Sequence, residues 1–407
     1  MAGAPSWAAW AGAVCALCGC SLDPIDLTGR SCPCTDGWVC DSSTNQCVPD
    51  GQSQPDGGVD ADAGTDGGSC STAEPWWDDG YAFRRALSIV AGSTDVPARY
   101  SVAVAIDHAA LVQAGSSLES GADVRIICNG SQVPRMADPH PRSHWNQAAT
   151  RIWFDLSQAL GADQQDEACY VYYGNPTAVD PPNRWADSMG AGSAAEIFLA
   201  GEDFEGHSDG GDPDGWTDQG TDDWVLRSHE DDSWFGPPSG GDWNNGSVGT
   251  SMDDVADASW SANLYYWQEG AEGWAGLGAR VESSGGGLMV LVQDREGYVA
   301  TEYWSDPRTG WVERPDIHFP HGSIGRLEII THGATASAYW HNPAGFTPER
   351  VTIVEDWAVG AAAGKVAVFA ERPSATNQRW LDVDDIIVRQ YIAPEPIVTV
   401  GCEQAAP

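Results

Sequence analysis

From Trp76 onward, apolar and polar residues alternate with a period of two in short runs broken by turn residues, the pattern of strands rather than helices. Tyr100, Val102, Val104 and Ile106 share one face of a predicted strand. Val124 and Ile126 open a second that runs into RIICNG, and RIWFDL (151–156) and CYVYYGN (169–175) give two more. No stretch keeps a helical period beyond about a dozen residues. The expected fold is therefore all-β, beginning with an antiparallel β-sandwich over residues 73–190. After a loop at 180–195, IFLAGEDFEG reads as a strand ending in acids. NLYYW, GLGARVE, GLMVLVQ, RLEIITH, ATASAYW, RVTIV, KVAVFA and DVDDIIVRQY follow as further strands. That many strands with polar turns predict a second β-sandwich, a two-sheet jelly roll, over residues 196–401.

The head of the chain breaks this pattern. MAGAPSWAAWAGAV carries no charge and runs into Leu17-Cys18-Gly19-Cys20, after which the sequence turns polar and acidic. Residues 1–19 read as an export signal with cleavage before Cys20, the alternative being a buried N-terminal helix. The segment is short for a membrane span, and Pro5 interrupts it. Leu17, Gly19 and Cys20 resemble the bacterial lipoprotein box. The resemblance implies lipid on Cys20, a membrane anchor through that lipid, and, with Ser21 next, an outer-membrane or cell-surface location; simple secretion is the alternative.

Cysteine usage fits an exported chain. Of the eleven cysteines, removal of Cys15 and Cys18 and lipidation of Cys20 leave Cys32, Cys34, Cys40, Cys47, Cys70, Cys128, Cys169 and Cys402, which can pair completely. The first four lie in SCPCTDGWVCDSSTNQC, a small cysteine-rich N-terminal segment over 20–48 with too few large apolar residues for a core. Disulfides are expected to hold it. A zinc knuckle fits less well, because zinc sites space each Cys pair by two to four residues. Residues 49–72, rich in Gly and Asp, form an acidic spacer. Cys70 near its end offers a tether to the body, and Cys128 and Cys169 flank predicted strands that a bridge would join.

Charge narrows the partners. There are 59 acidic residues against 20 basic, a formal net charge of −39, and Lys365 is the one lysine. Such a field repels phosphate backbones, so no nucleic acid partner is expected, and multivalent cations are the natural counterions.

Particular residues also carry family resemblances. WWDDGYAFRRALSI (76–89), GADVRI (121–126), TRIWFDL (150–156) and YVYYGNPTAVDP (170–181) together resemble the bacterial surface domain DUF2341. Phe83-Arg84, Asp123-Val124-Arg125 and Tyr172–Pro176 stand at its recurrent steps. The resemblance implies a sandwich-like module that keeps company with lectin-like domains. Read alone, Asp123 and Arg125 sit two apart on a strand and suit a structural salt bridge. Farther on, EDFEG, GKVAVF and DVDDIIV in that order resemble concanavalin A-like lectin or laminin-G-like modules, and RQYIAPEPIVTVG resembles the tail that follows them.

That fold also houses glycosidases, which need two suitably spaced carboxyls. The glucanase pattern E-x-D-x-x-E is missing, Glu202 and Glu205 fall on opposite strand faces, and no G-x-S-x-G or H-E-x-x-H occurs. His140 and His144 lie in DPHPRSHW, expected to be an exposed loop. No catalytic residues are assigned. Trp153, Trp260 and Trp267 are assigned to cores, whereas Trp234 and Trp243, in SWFGPPSGGDWNNG, are candidates to stack on sugar rings. A calcium ion is a further candidate, held where EDFEG meets LDVDDI by Glu202, Asp203, Glu205, Asp382 and Asp384, with Asp385 reaching it only through a bulge. The reading is a surface-anchored, non-catalytic binder of a glycan or surface protein. Its alternatives are an adhesive scaffold and a cryptic glycoside hydrolase.

Overall fold

A computed structural model describes residues 38–41, 46–49, 74–179, 194–205, 207, 213–219, 225–229, 232–236, 245–250, 252–266, 274–282, 287–295, 298–305, 308–360, 362–371 and 381–407. Two compact units divide the chain, Met1–Ser69 and Cys70–Pro407. In the first, Trp38–Asp41 and Gln46–Pro49 pair as an antiparallel hairpin whose register sets Cys40 opposite Cys47. The export signal, Cys20, Cys32, Cys34 and the spacer with Cys70 lie outside the described residues.

The second unit holds two sandwiches, as the alternation predicts. In the smaller, a five-stranded sheet runs Ile397–Ala405, Phe83–Val90, Gln165–Tyr173, Arg125–Cys128, Ser131–Val133. A three-stranded sheet runs Ser101–Ile106, Thr150–Asp155, Arg135–Ala137. Val102, Val104, Ile152, Phe154, Val171 and Tyr173 close the core between them. One six-residue helix, His108–Gln113, starts where the Asp107 carboxylate accepts from the Ala110 N–H. Cys128 and Cys169 sit directly opposite on neighbouring strands and are joined by a disulfide.

The expected end of the second sandwich at 401 falls inside a strand of the first. Ile397–Ala405 pairs antiparallel with Phe83–Val90, setting Gln404 opposite Arg84. The second sandwich is thus inserted between two adjacent regions of one sheet. Cys402 on this returning strand is disulfide-bonded. Asp123 and Arg125 do not pair with each other as expected. The buried Asp123 carboxylate accepts from Ser117 Oγ and from the Leu118 and Gly174 N–H groups, at 2.8–2.9 Å, and Arg125 donates to the carbonyls of Ala122, Val124 and Val179. Loop carbonyls and N–H groups that would otherwise be stranded in the interior claim both side chains.

The larger sandwich has an eight-stranded sheet ordered Val225–His229, Asp232–Gly236, Leu381–Gln390, Ala258–Tyr266, Ile324–His332, Thr335–His341, Arg350–Ala358, with Ala200–Glu202 beside Leu381–Gln390. Its partner sheet has seven strands, ordered Trp216–Gln219, Asn245–Gly249, Lys365–Glu371, Trp274–Val281, Leu288–Arg295, Tyr298–Ser305, Arg308–Glu313. Trp260, Ala262, Leu264, Leu327, Ile329, Ala338 and Trp340 fill the interior from the first sheet, against Leu277, Val290, Val366 and Val368 from the second. The alternate residues of the eight-stranded sheet, among them Ser259, Ser261, Arg326, Glu328, Tyr339 and His341, face outward toward the smaller sandwich. Met136, Ala194, Ile197, Phe198 and Ile387, with Trp153 against them, seal part of that junction with apolar contact.

Candidate functional site

The remainder of the junction is a polar cleft. Two adjoining chambers open into it, the larger of about 400 Å³ and the smaller of about 140 Å³, and Arg151, Trp153, Glu328, His341 and Arg389 line both. The smaller sandwich contributes Asp138, His140, Arg142, Arg151 and Trp153; the outer face of the eight-stranded sheet contributes Arg326, Glu328, Tyr339, His341, Arg350 and Arg389. In a chain with 59 acids and 20 basic residues, this cleft gathers five arginines (Arg142, Arg151, Arg326, Arg350, Arg389) against four carboxylates (Asp138, Glu328, Glu349, Glu395). The local balance is opposite in sign to that of the whole chain.

Glu328 is the hub on the sheet side. Ser259 Oγ donates to it at 2.8 Å, His341 Nε2 lies 3.1 Å away, and Arg350 and Arg389 approach at 3.4 and 3.8 Å. Burial would push its pKa up, but His341, Arg389 and Arg350 outweigh burial and hold the carboxyl below its usual range. Asp138 plays the same part on the other wall. It accepts from Trp153 Nε1 and Ser143 Oγ, each at 2.9 Å, and from the His140 N–H at 3.0 Å. Burial again opposes the charge, yet Arg326, Arg151 and those donors bring Asp138 down to about 2.

His140 is not in an exposed loop as the Pro-rich sequence suggests; it is 4% exposed. The turn made when the Asp138 carboxylate accepts the His140 N–H curls the loop inward against His341, with ring centroids 6.3 Å apart. Its Nδ1 faces the Arg142 N–H at 3.4 Å, and its Nε2 has no hydrogen-bond partner. Burial, with the positive field of Arg326, lowers its pKa to about 3, so the ring is neutral near pH 7. His144 turns Nδ1 to the Asp138 carbonyl at 3.0 Å. Trp153, expected in a core, is half-buried at the cleft with the guanidinium of Arg389 5.2 Å and that of Arg151 5.9 Å from its ring.

The residues singled out from the sequence lie elsewhere. Trp234 is 2% exposed and packs on Tyr265, with centroids 5.2 Å apart, so it offers no open face to a sugar. Trp243 and Trp267 lie outside the described residues; Trp260 is fully buried as expected. EDFEG and LDVDDI do meet as neighbouring strands, with Glu202 opposite Ile386. Ile386 faces the core and so does Glu202, whereas Asp382 and Asp384 stand opposite Tyr265 and Asn263 on the outward face. The sheet separates their carboxylates. A register shift with Asp385 at φ +50° supplies the bulge that could redirect Asp385, but its Oδ2 accepts from Asn263 Nδ2 at 2.7 Å. Among the described residues, no three His, Cys, Asp or Glu side chains come together to hold a metal ion.

No protein-family model matches the chain, and no curated protein does. Among solved structures, the chain is similar to the carbohydrate binding module CBM66 from Bacillus subtilis (10% identity, 43% of this chain and 96% of that one, TM-score 0.32). It is also similar to a legume lectin-like domain from Entamoeba histolytica (9%, 44% and 90%, 0.33) and to lectin II from Ulex europaeus (9%, 50% and 98%, 0.31). These are distant, low-identity likenesses to lectin-type β-sandwiches.

The cleft was only half legible. Charged residues at alternate positions of otherwise apolar strands, Arg326 and Glu328 in RLEIITH and His341 in SAYWH, mark a polar sheet face. That a Pro-rich loop some two hundred residues upstream covers it has no local signature.

Proposed function

We propose that this chain is a non-catalytic glycan-binding protein, exported and held at a bacterial surface by lipid on Cys20, with the junction cleft as its recognition site. The observation that carries the reading is that the cleft's two most enclosed carboxyls, Asp138 and Glu328, are each occupied by hydrogen-bond donors and arginines. A glycosidase needs one carboxyl whose pKa is raised so that it can protonate the leaving group. Asp138 and Glu328 are both pushed the other way and stay ionised, as suits groups that orient arginines. Of the pair weighed from the sequence, Glu202 is buried among core residues, beyond reach of a polysaccharide. The opening sandwich is read as DUF2341-like on the motifs at 76–89, 121–126, 150–156 and 170–181.

The test is a glycan array probed with the full chain, run beside a reducing-end assay on every glycan bound. Retention without cleavage is expected. Turnover that disappears in Glu328→Gln would replace this reading with a hydrolase. Labelled fatty acid incorporated by the native chain and lost in Cys20→Ser tests the anchor.

A further inference from the structure

We infer that the junction cleft selects glycans bearing a carboxylate, such as uronates, over neutral ones. The inference rests on the glycan-binding reading above and narrows it to a ligand class.

The cleft supplies donors more readily than acceptors. Arg151 and Arg350, both in the lining of the larger chamber, have side chains 48% and 46% exposed. The inner carboxylates are already engaged, Glu328 by Ser259, His341, Arg350 and Arg389, Asp138 by Trp153, Ser143 and the His140 N–H, and Glu395 by Arg389; the exposed Glu349, at the rim, pairs with Arg142. Arg presents a planar fork that fits the two oxygens of a carboxylate, and charge-assisted pairs of that kind are stronger than neutral hydrogen bonds.

The aromatic rings point the same way. Neutral sugars are held largely by stacking on open aromatic faces. Here Trp153 and Tyr339 carry guanidiniums, Arg350 lying 3.5 Å from the Tyr339 centroid and Arg389 5.2 Å from that of Trp153. The rings hold the arginines in place and leave recognition to charge.

At the inner end, His140 gives independent support. Its Nδ1 faces a backbone N–H and serves as acceptor, which leaves the ring proton on Nε2, a buried donor without a partner in the lining of the smaller chamber. A buried donor left unmatched is unfavourable, and an anionic oxygen entering the smaller chamber would satisfy it.

The experiment is an array of neutral oligosaccharides, carboxylate-bearing oligosaccharides and the methyl esters of the latter, probed with the full chain at 50 and 500 mM salt. Retention is expected for the free acids, at least tenfold weaker for their esters, and weakened by salt. The double variant Arg151→Gln/Arg350→Gln, assayed below its own thermal midpoint because it also strips counter-charges from Asp138 and Glu328, is expected to lose at least tenfold for the acids. If that variant does not fold, the acid–ester comparison on the native chain decides alone. Equal retention of acids and esters, or retention of neutral glycans only, overturns the carboxylate inference while glycan binding stands. Retention of no glycan overturns both.

Discussion

Arg142 Nε donates to the Asn342 carbonyl at 2.8 Å across two hundred residues of sequence. The same side chain donates to the Pro343 carbonyl from Nε and Nη2, reaches the Phe346 carbonyl, and pairs with Glu349 at 3.2 Å. One guanidinium from the smaller sandwich thereby satisfies most of a turn in the larger one, and it fixes one edge of the cleft.

Arg142→Ala strands those carbonyls at a partly buried junction. A stability loss of about 2–3 kcal/mol is expected from hydrogen bonds to a charged group. Hydrogen exchange should show residues 342–349 losing protection before either core does. Unchanged exchange there would deny Arg142 its clamping part.

Glu328→Gln keeps the shape of the hub and removes the negative charge beside Arg350 and Arg389. A cost of about 1.5–3 kcal/mol is expected for losing hydrogen bonds to a charged group that is only partly buried. Because the folded-state pKa of Glu328 is lowered, its contribution is present above the ordinary carboxylate range and lost as pH falls through the folded value. Denaturant titrations from pH 7 down to 3 should fall more steeply for the native chain than for Glu328→Gln.

Glu202 has the opposite sign. Burial raises its pKa to about 8, and Oε2 has no hydrogen-bond partner. The folded state then holds a proton that the unfolded state releases, so the stabilisation is complete below the unfolded carboxyl range and lost as pH rises through about 8. The thermal midpoint of the native chain should drop between pH 5 and 8, and Glu202→Gln should flatten that slope. Parallel slopes would show that Glu202 is ionised throughout.

Cys128→Ala/Cys169→Ala opens a crosslink with a sequence separation of 41. Chain entropy alone puts the loss at about 4 kcal/mol. Guanidinium unfolding of the double variant should show the smaller sandwich destabilised by roughly that amount. A change below about 1 kcal/mol would indicate a compact denatured state.

The sequence by itself determined the strands and the faces they bury, because a period of two needs only local chemistry: Val102, Val104 and Ile106 are inside, and Arg326 and Glu328 flank the buried Leu327. It also determined that Cys128 and Cys169 were placed to bridge strands. Tertiary structure alone decided what each outward face meets. Trp234 looked like a binding-loop residue because its neighbours are Gly, Pro and Ser, yet a strand two places across the sheet brings Tyr265 against it. Glu202 and Asp384 looked like partners because their strands pair, yet a strand has two faces and a bulge at Asp385 shifts the count. His140 looked exposed in a Pro-rich loop, yet the loop folds into a junction whose other wall is made of residues 259–396. Alternation is set by the backbone of one strand, while the partner of a polar face is set by contacts between residues far apart in the chain, which leave no period in the sequence.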